Sequence, residues 1–131
     1  MPRLRILIVE DQVDSAETLA VCLRLEGHDV RVAYDGAAAL AAAAAFSPDV
    51  ALLDIGLPRL SGYALAERLR AMPGGVDAFL VAVTGFGEDH DRARALEAGF
   101  DLHLTKPVDI DVLRLELENL PPPSQRLSRA G

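Results

Sequence analysis

Four stretches of this 131-residue chain place reactive side chains directly after apolar runs. Glu10 and Asp11 follow LRILIV, Asp54 follows VALL, Thr84 and Gly85 follow FLVAV, and Thr105, Lys106 and Pro107 follow LHL. A carboxylate ending a buried run is costly unless something pairs with it. Three carboxylates brought together repel and raise one another's pKa, and a hard divalent cation relieves this. Mg²⁺ accepts a few carboxylates together with waters and phosphate oxygens. A nearby ammonium and hydroxyl suit an anion. The set is therefore fitted to a phosphoryl group: cation and Lys106 neutralise its oxygens, Thr84 donates to one, and a carboxylate attacks. An aspartate nucleophile gives an aspartyl phosphate.

Each residue also has a plainer reading. Asp54 stands before a Gly-x-Pro turn, where aspartate is common. Glu10 and Asp11 suit the N-cap and flank of the following helix, a role compatible with ligation. Thr84 is β-favouring or caps the next helix. Lys106 reads as a surface lysine, although a lysine before proline at a strand end has little structural reason to be there. Together, at neighbouring strand ends, the residues favour the functional reading. His28, His90 and His103 lack the spacing of metal ligands. His90 reads as solvated and His103 as an exposed edge residue. Tyr63 and Phe86 read as packing residues. Neither GxGxxG nor GxxxxGK[ST] occurs, so dinucleotide and nucleoside triphosphate sites lack their fingerprints.

The elements that must hold these residues are legible. Leu4–Val9, Val50–Leu53 and Phe79–Val83 are nearly continuous apolar runs, as expected of strands covered on both faces. Asp29–Tyr34 and Leu102–Leu104 alternate, as expected of edge strands. Between them lie helical patterns. Residues 13–26 carry Val13, Ala16, Ala20 and Leu23 at helical spacing, and residues 37–45 are eight alanines around Leu40. Residues 60–71 have Ser61 near the start as a cap, residues 88–98 stop at Gly99, and residues 109–120 align Ile110, Leu113, Leu117 and Leu120. Gly36, Gly62, Gly74 and Gly75 mark turns and helix ends. Alternating strands and helices predict an α/β, doubly wound, five-stranded parallel sheet with helices on both faces. Central and edge strands fit the order 2-1-3-4-5, with ligands beyond the carboxyl ends of the strands.

The length fits one domain, residues 1–120, followed by the proline-rich 121–131, expected to be disordered. The formal net charge of −7 argues against nonspecific nucleic-acid binding, which needs a basic surface. No apolar run approaches the roughly 18 residues of a membrane span. No signal-peptide pattern opens the chain, and its one cysteine, Cys22, reads as a small core residue, so the expected location is cytoplasmic.

The stretches ILIVED, LLDIGLP, AVTG and GFDLHLTKP, in this order and each at a predicted strand end, resemble the response-regulator receiver domain over about residues 3–120. The resemblance implies a flavodoxin-like (CheY-like) fold and a phosphoacceptor module of two-component or phosphorelay signalling. Asp54 would be the phosphoacceptor. Asp11, Asp54 and the backbone carbonyl of Gly56 would hold Mg²⁺ or Mn²⁺, with Glu10 acting through water. Thr84 and Lys106 would bind the phosphoryl group, and the bond before Pro107 would be cis, which proline tolerates. The donor would be a histidine kinase or phosphotransfer protein. The output, with no DNA-binding domain in this chain and no membrane, would be a protein partner on the fourth helix, fifth strand and fifth helix. Such a module is no enzyme in the usual sense, although it catalyses its own phosphorylation and dephosphorylation. Two positions depart from the pattern. His103 stands where many receivers have Tyr or Phe, which makes it an altered switch if it is not simply exposed. Gly56 stands where a larger residue is common. The combination DIGLP with GFDxHLxKPVD resembles receivers of hybrid histidine kinases.

Three other functions compete. A flavin-binding electron carrier of the same fold class needs a hydroxyl-rich phosphate loop after the first strand and aromatics to stack on the ring, where this chain has acids, no Trp and two Tyr. A phosphatase with an aspartate nucleophile would place two aspartates at i and i+2 after the first strand, where Glu10-Asp11-Gln12 stands. A scaffold that kept the fold and lost phosphorylation would not need the intact acid, threonine and lysine set.

Overall fold

The computed structural model describes residues 3–72, 77–85 and 92–120. The proline-rich 121–131, Gly74, Gly75, Phe86 and His90 lie outside the described residues. Strands β1 (Arg5–Val9), β2 (Asp29–Ala33), β3 (Val50–Asp54), β4 (Phe79–Thr84) and β5 (Leu102–Thr105) alternate with helices α1 (Val13–Leu25), α2 (Gly36–Phe46), α3 (Gly62–Ala71), α4 (Arg92–Ala98) and α5 (Ile110–Glu118). The strands form one parallel sheet in the order β2-β1-β3-β4-β5. The continuous apolar runs became the three central strands, and β3 and β4 are buried along their whole length. The alternating segments became the edges, because each lacks a neighbour on one side and keeps residues half-exposed.

Side chains alternate across the sheet, so each central strand feeds two cores. Ile6, Ile8, Leu52, Val81 and Val83 pack with Ala16, Ala20 and Leu23 of α1 and Leu113 and Leu117 of α5. Leu7, Val9, Leu53, Leu80 and Ala82 pack under α2, α3 and α4. Within the alanine run of α2, Ala39 and Ala43 are buried, where small side chains let the helix lie close, and Leu40 and Ala42 pack partly buried beside them. Asp35 starts α2 by accepting from the Ala38 amide, Ser61 starts α3 by accepting from Ala64, and Asp109 starts α5 by accepting from Asp111 and Val112. Gly99, at φ +104°, ends α4 in a conformation that other residues rarely adopt.

Three local expectations fail. Val13 is 54% exposed: it keeps the period of Ala16, Ala20 and Leu23, but it is the first residue of α1. Cys22 is half-buried rather than in the core, on the side of α1 that faces α5 across a cavity. The N-cap of α1 is Gln12, and no side chain caps the helix, so Glu10 and Asp11 are not its caps.

A clamp not foreseen from the sequence closes the far side. Arg70 of α3 donates to the Gly99 and Ala78 carbonyls and to Asp101 Oδ2 at 2.8 Å. Asp101, nearly buried, also accepts from the Leu80 amide. One guanidinium thus ties α3 to the start of β5 and the end of α4, using the planar donor fork that lysine lacks.

Candidate functional site

The sheet register sets the site. Val9 pairs with Leu53 and Asp54 with Val83, so the carboxyl ends of β1, β3 and β4 lie side by side. Thr84 pairs with Thr105, which brings Lys106 alongside. The Lys106 amide donates to the Thr84 carbonyl at 2.7 Å, and the Lys106–Pro107 peptide is cis. Glu10, Asp11 and Asp54 each offer an oxygen within 4.8 Å of the others.

The Lys106 ammonium lies between two carboxylates, 2.5 Å from Glu10 Oε1 and 3.1 Å from Asp54 Oδ2. Asp54 Oδ1 accepts from the Gly56 amide at 2.9 Å, and Glu10 Oε2 accepts from the Gln12 amide at 3.3 Å. Glu10 and Asp54 are buried and Asp11 is exposed. Burial pushes the Glu10 carboxyl above the usual carboxylate range, the pull of Lys106 opposes this, and neighbouring Asp54 adds to it. Burial works against the Lys106 charge, but hydrogen bonds to Glu10 and Asp54 outweigh it and hold the ammonium above its ordinary value. Both shifts are consistent because one cation serves two carboxylates: Lys106 is well compensated and Glu10 is not.

The backbone under Asp54 is tightly packed. A Cβ on Gly62 would lie 2.7 Å from the Asp54 carbonyl oxygen and from Ile55 Cα, and the Gly62 amide donates to the Ile55 carbonyl. Only glycine lets α3 start so close to the end of β3. A cavity of about 580 Å³ opens from Glu10, Asp54 and Lys106 and runs between α1 and the loop into α5, past Leu19, Cys22, Pro107 and Ile110.

The structure thus brings together Glu10, Asp11, Asp54 and Lys106, with the Gly56 backbone against Asp54. Thr84, wholly buried at the end of β4, turns its hydroxyl to His103, with Oγ1 2.8 Å from Nε2. His103 is therefore not the exposed edge residue expected; it is half-buried and bonded to a residue of the set. The signal that could have found it is register: His103 pairs with Ala82, two residues before Thr84, and so shares its face. Asp35, at the end of edge strand β2, caps α2 and is no part of the site.

The donor set is all oxygen, with a nearby cluster of negative charge, which fits Mg²⁺ or a similar hard cation and not a soft metal. With an ammonium and a buried hydroxyl at adjacent strand ends, the arrangement can bind a tetrahedral anion against a carboxylate.

Comparison with known proteins points the same way. The family model described as response regulator receiver domain matches residues 6–118. The chain is 30% identical over 127 residues to the DNA-binding dual master transcriptional regulator RpaA of Synechocystis sp., covering 97% of this chain and 53% of that protein. It is 40% identical over 103 residues to the transcriptional regulatory protein PrrA of Mycobacterium tuberculosis, covering 79% of this chain and 43% of that one. The chain thus spans about half the length of these curated relatives. Among solved structures, a CheY-like receiver domain from Methylobacillus flagellatus superposes with a TM-score of 0.82 at 36% identity, covering 92% of this chain and all of that one.

Proposed function

We propose that this chain, which belongs to the response regulator receiver domain family, accepts a phosphoryl group on Asp54 from a histidine kinase or phosphotransfer protein and signals by protein–protein contact. The observation that carries the reading is Asp54 itself: one carboxylate oxygen faces Lys106 and the other the Gly56 amide, beside two further acids.

In the reaction a carboxylate oxygen of Asp54 attacks phosphorus in line with the leaving group. The new O–P bond forms as the bond to the donor breaks, and the donor leaves with that electron pair. Lys106 moves its charge from Asp54 Oδ2 to a phosphoryl oxygen, and Thr84 donates its hydroxyl proton to another. Asp11, Asp54 and the Gly56 carbonyl would hold Mg²⁺ or Mn²⁺, with Glu10 behind them through water. The cation, when bound, neutralises the charge on the transferring oxygens. The absence of a side chain at Gly56 leaves one flank of the phosphoryl group uncovered. Output passes through α4, β5 and α5, where Leu96, Val112 and Leu115 are exposed.

Intact-protein mass after incubation with acetyl phosphate tests the proposal. One phosphoryl adduct is expected with Mg²⁺ and none in EDTA. No adduct under either condition, together with no binding of the phosphoryl mimic beryllofluoride, contradicts it.

A further inference from the structure

Ala82 pairs with His103 and Thr84 with Thr105, and alternate residues share a face, so Thr84 and His103 are diagonal neighbours on one side of the sheet. That side is the one Ala82 shares with the core under α2, α3 and α4. Thr84 is wholly buried. Its hydroxyl proton is costly to leave without an acceptor. Among the described residues, the hydrogen-bond partner of that hydroxyl is His103 Nε2, at 2.8 Å. The hydroxyl therefore donates, and Nε2 accepts through its lone pair.

A hydroxyl carries one proton to donate. Spent on Nε2, it is not available to a phosphoryl oxygen. We propose that His103 is a positioning residue that sets the receiver's balance: its imidazole holds the Thr84 hydroxyl in the resting chain, and phosphoryl capture requires the hydroxyl to exchange Nε2 for a phosphoryl oxygen. This rests on Asp54 being the phosphoacceptor. The exchange breaks one O–H···N bond and makes one O–H···O bond, with no proton leaving Thr84. It changes the hydrogen bonding of an imidazole half-buried on edge strand β5. The state of the buried site is thereby passed to the outer edge of the sheet by a change of partner. A phenyl ring at this position has no nitrogen to offer and could not hold the hydroxyl in this way.

Beryllofluoride affinity in the presence of Mg²⁺, followed by ¹⁹F NMR, tests the idea in wild type, His103→Leu, His103→Gln, Thr84→Val and the Thr84→Val/His103→Leu double variant. Removing the competing acceptor in His103→Leu tightens binding by about threefold to tenfold, the range of one net hydrogen bond. His103→Gln, whose amide keeps an acceptor, stays near wild type. In the Thr84→Val background, His103→Leu changes nothing, because the hydroxyl it would free is absent. The ¹⁵N shift of His103 Nε2 reports an unprotonated acceptor in the resting chain and moves when the mimic binds. Unchanged or weaker binding by His103→Leu, or equal tightening in the Thr84→Val background, overturns the proposal. Wild type that binds no beryllofluoride, or Asp54→Asn that binds it equally well, overturns the phosphoacceptor reading and this proposal with it; wild-type binding with no His103 effect overturns only this one.

Discussion

Replacing Glu10 by Gln should make the metal-free protein more stable, although it removes the charge from an ion pair. Asp11 and Asp54 each bring an oxygen within 4.8 Å of Glu10. At an effective dielectric constant of about 20, buried Asp54 repels it by about 3.5 kcal/mol or more, and exposed Asp11, screened by water, by less. Lys106, at 2.5 Å from Glu10, attracts it by about 6.6 kcal/mol on the same scale. The repulsion offsets part of that attraction, and burial, the largest effect, decides against the charged form, which is why the carboxyl sits above its ordinary range. Gln keeps an oxygen for the Lys106 ammonium and drops the charge, so the expected gain is about 0.5–2 kcal/mol near neutral pH. The sign with pH follows. A carboxyl raised in the folded state favours folding below its unfolded value of 4.5 and loses that contribution as pH rises through the folded value. The advantage of the Gln variant therefore fades as pH falls below 4.5, where Glu10 becomes protonated in both states. Urea unfolding in EDTA, then with saturating Mg²⁺, measures both parts. Mg²⁺ should stabilise wild type more than the variant and narrow or reverse the difference, since a ligand stabilises in proportion to how tightly it binds the folded state. A Gln variant less stable than wild type by more than about 1 kcal/mol in EDTA at neutral pH would show that the Lys106 attraction dominates and that the cluster carries no excess of negative charge to relieve.

Three further outcomes follow from the geometry. Arg70→Met should cost about 3–5 kcal/mol by urea denaturation, since it leaves the nearly buried Asp101 carboxylate without its guanidinium; a loss under about 1 kcal/mol speaks against the clamp. Gly62→Ala should destabilise by about 1–3 kcal/mol and weaken Mg²⁺ affinity through the Asp54 backbone that its Cβ would strike; unaltered stability and affinity together would contradict the tight approach. His28 is buried and accepts from the Leu4 amide through Nδ1, and burial lowers its pKa from 6.5 against the pull of Glu26. Its contribution to stability is present above 6.5 and lost as pH falls below it, so the gap between wild type and His28→Gln in urea midpoint should shrink from about pH 7.5 to about pH 5.5, and a constant gap counts against it.

The sequence carried the architecture because each clue was local. ILIV, VALL and FLVAV have no polar face, which only a strand covered on both sides allows, whereas DVRVA and LHL do. The topology then brought residues 10, 11, 54 and 106 together without any knowledge of their side-chain contacts. What stayed hidden depends on register across distant segments. Nothing near Arg70 signals that its partners are Ala78, Gly99 and Asp101. His28 looks like an ordinary turn residue until the start of β1 is laid against it. His103 looked exposed because alternation marks an edge strand but does not say which inward neighbour a half-buried side chain meets. Val13 fitted the helical period and is still exposed, since the period gives the bearing of a stripe and not how far along the helix it stays covered, and Val13 is the first residue of α1.

The central claim is that Asp54 is the phosphorylated residue. Borohydride reduction of protein treated with acetyl phosphate and Mg²⁺ converts an aspartyl phosphate to homoserine, which peptide sequencing by mass spectrometry locates. Homoserine at position 54 in wild type, and at no position in Asp54→Asn, is the expected result. Homoserine at any other position, or an adduct that persists in Asp54→Asn, would contradict the account.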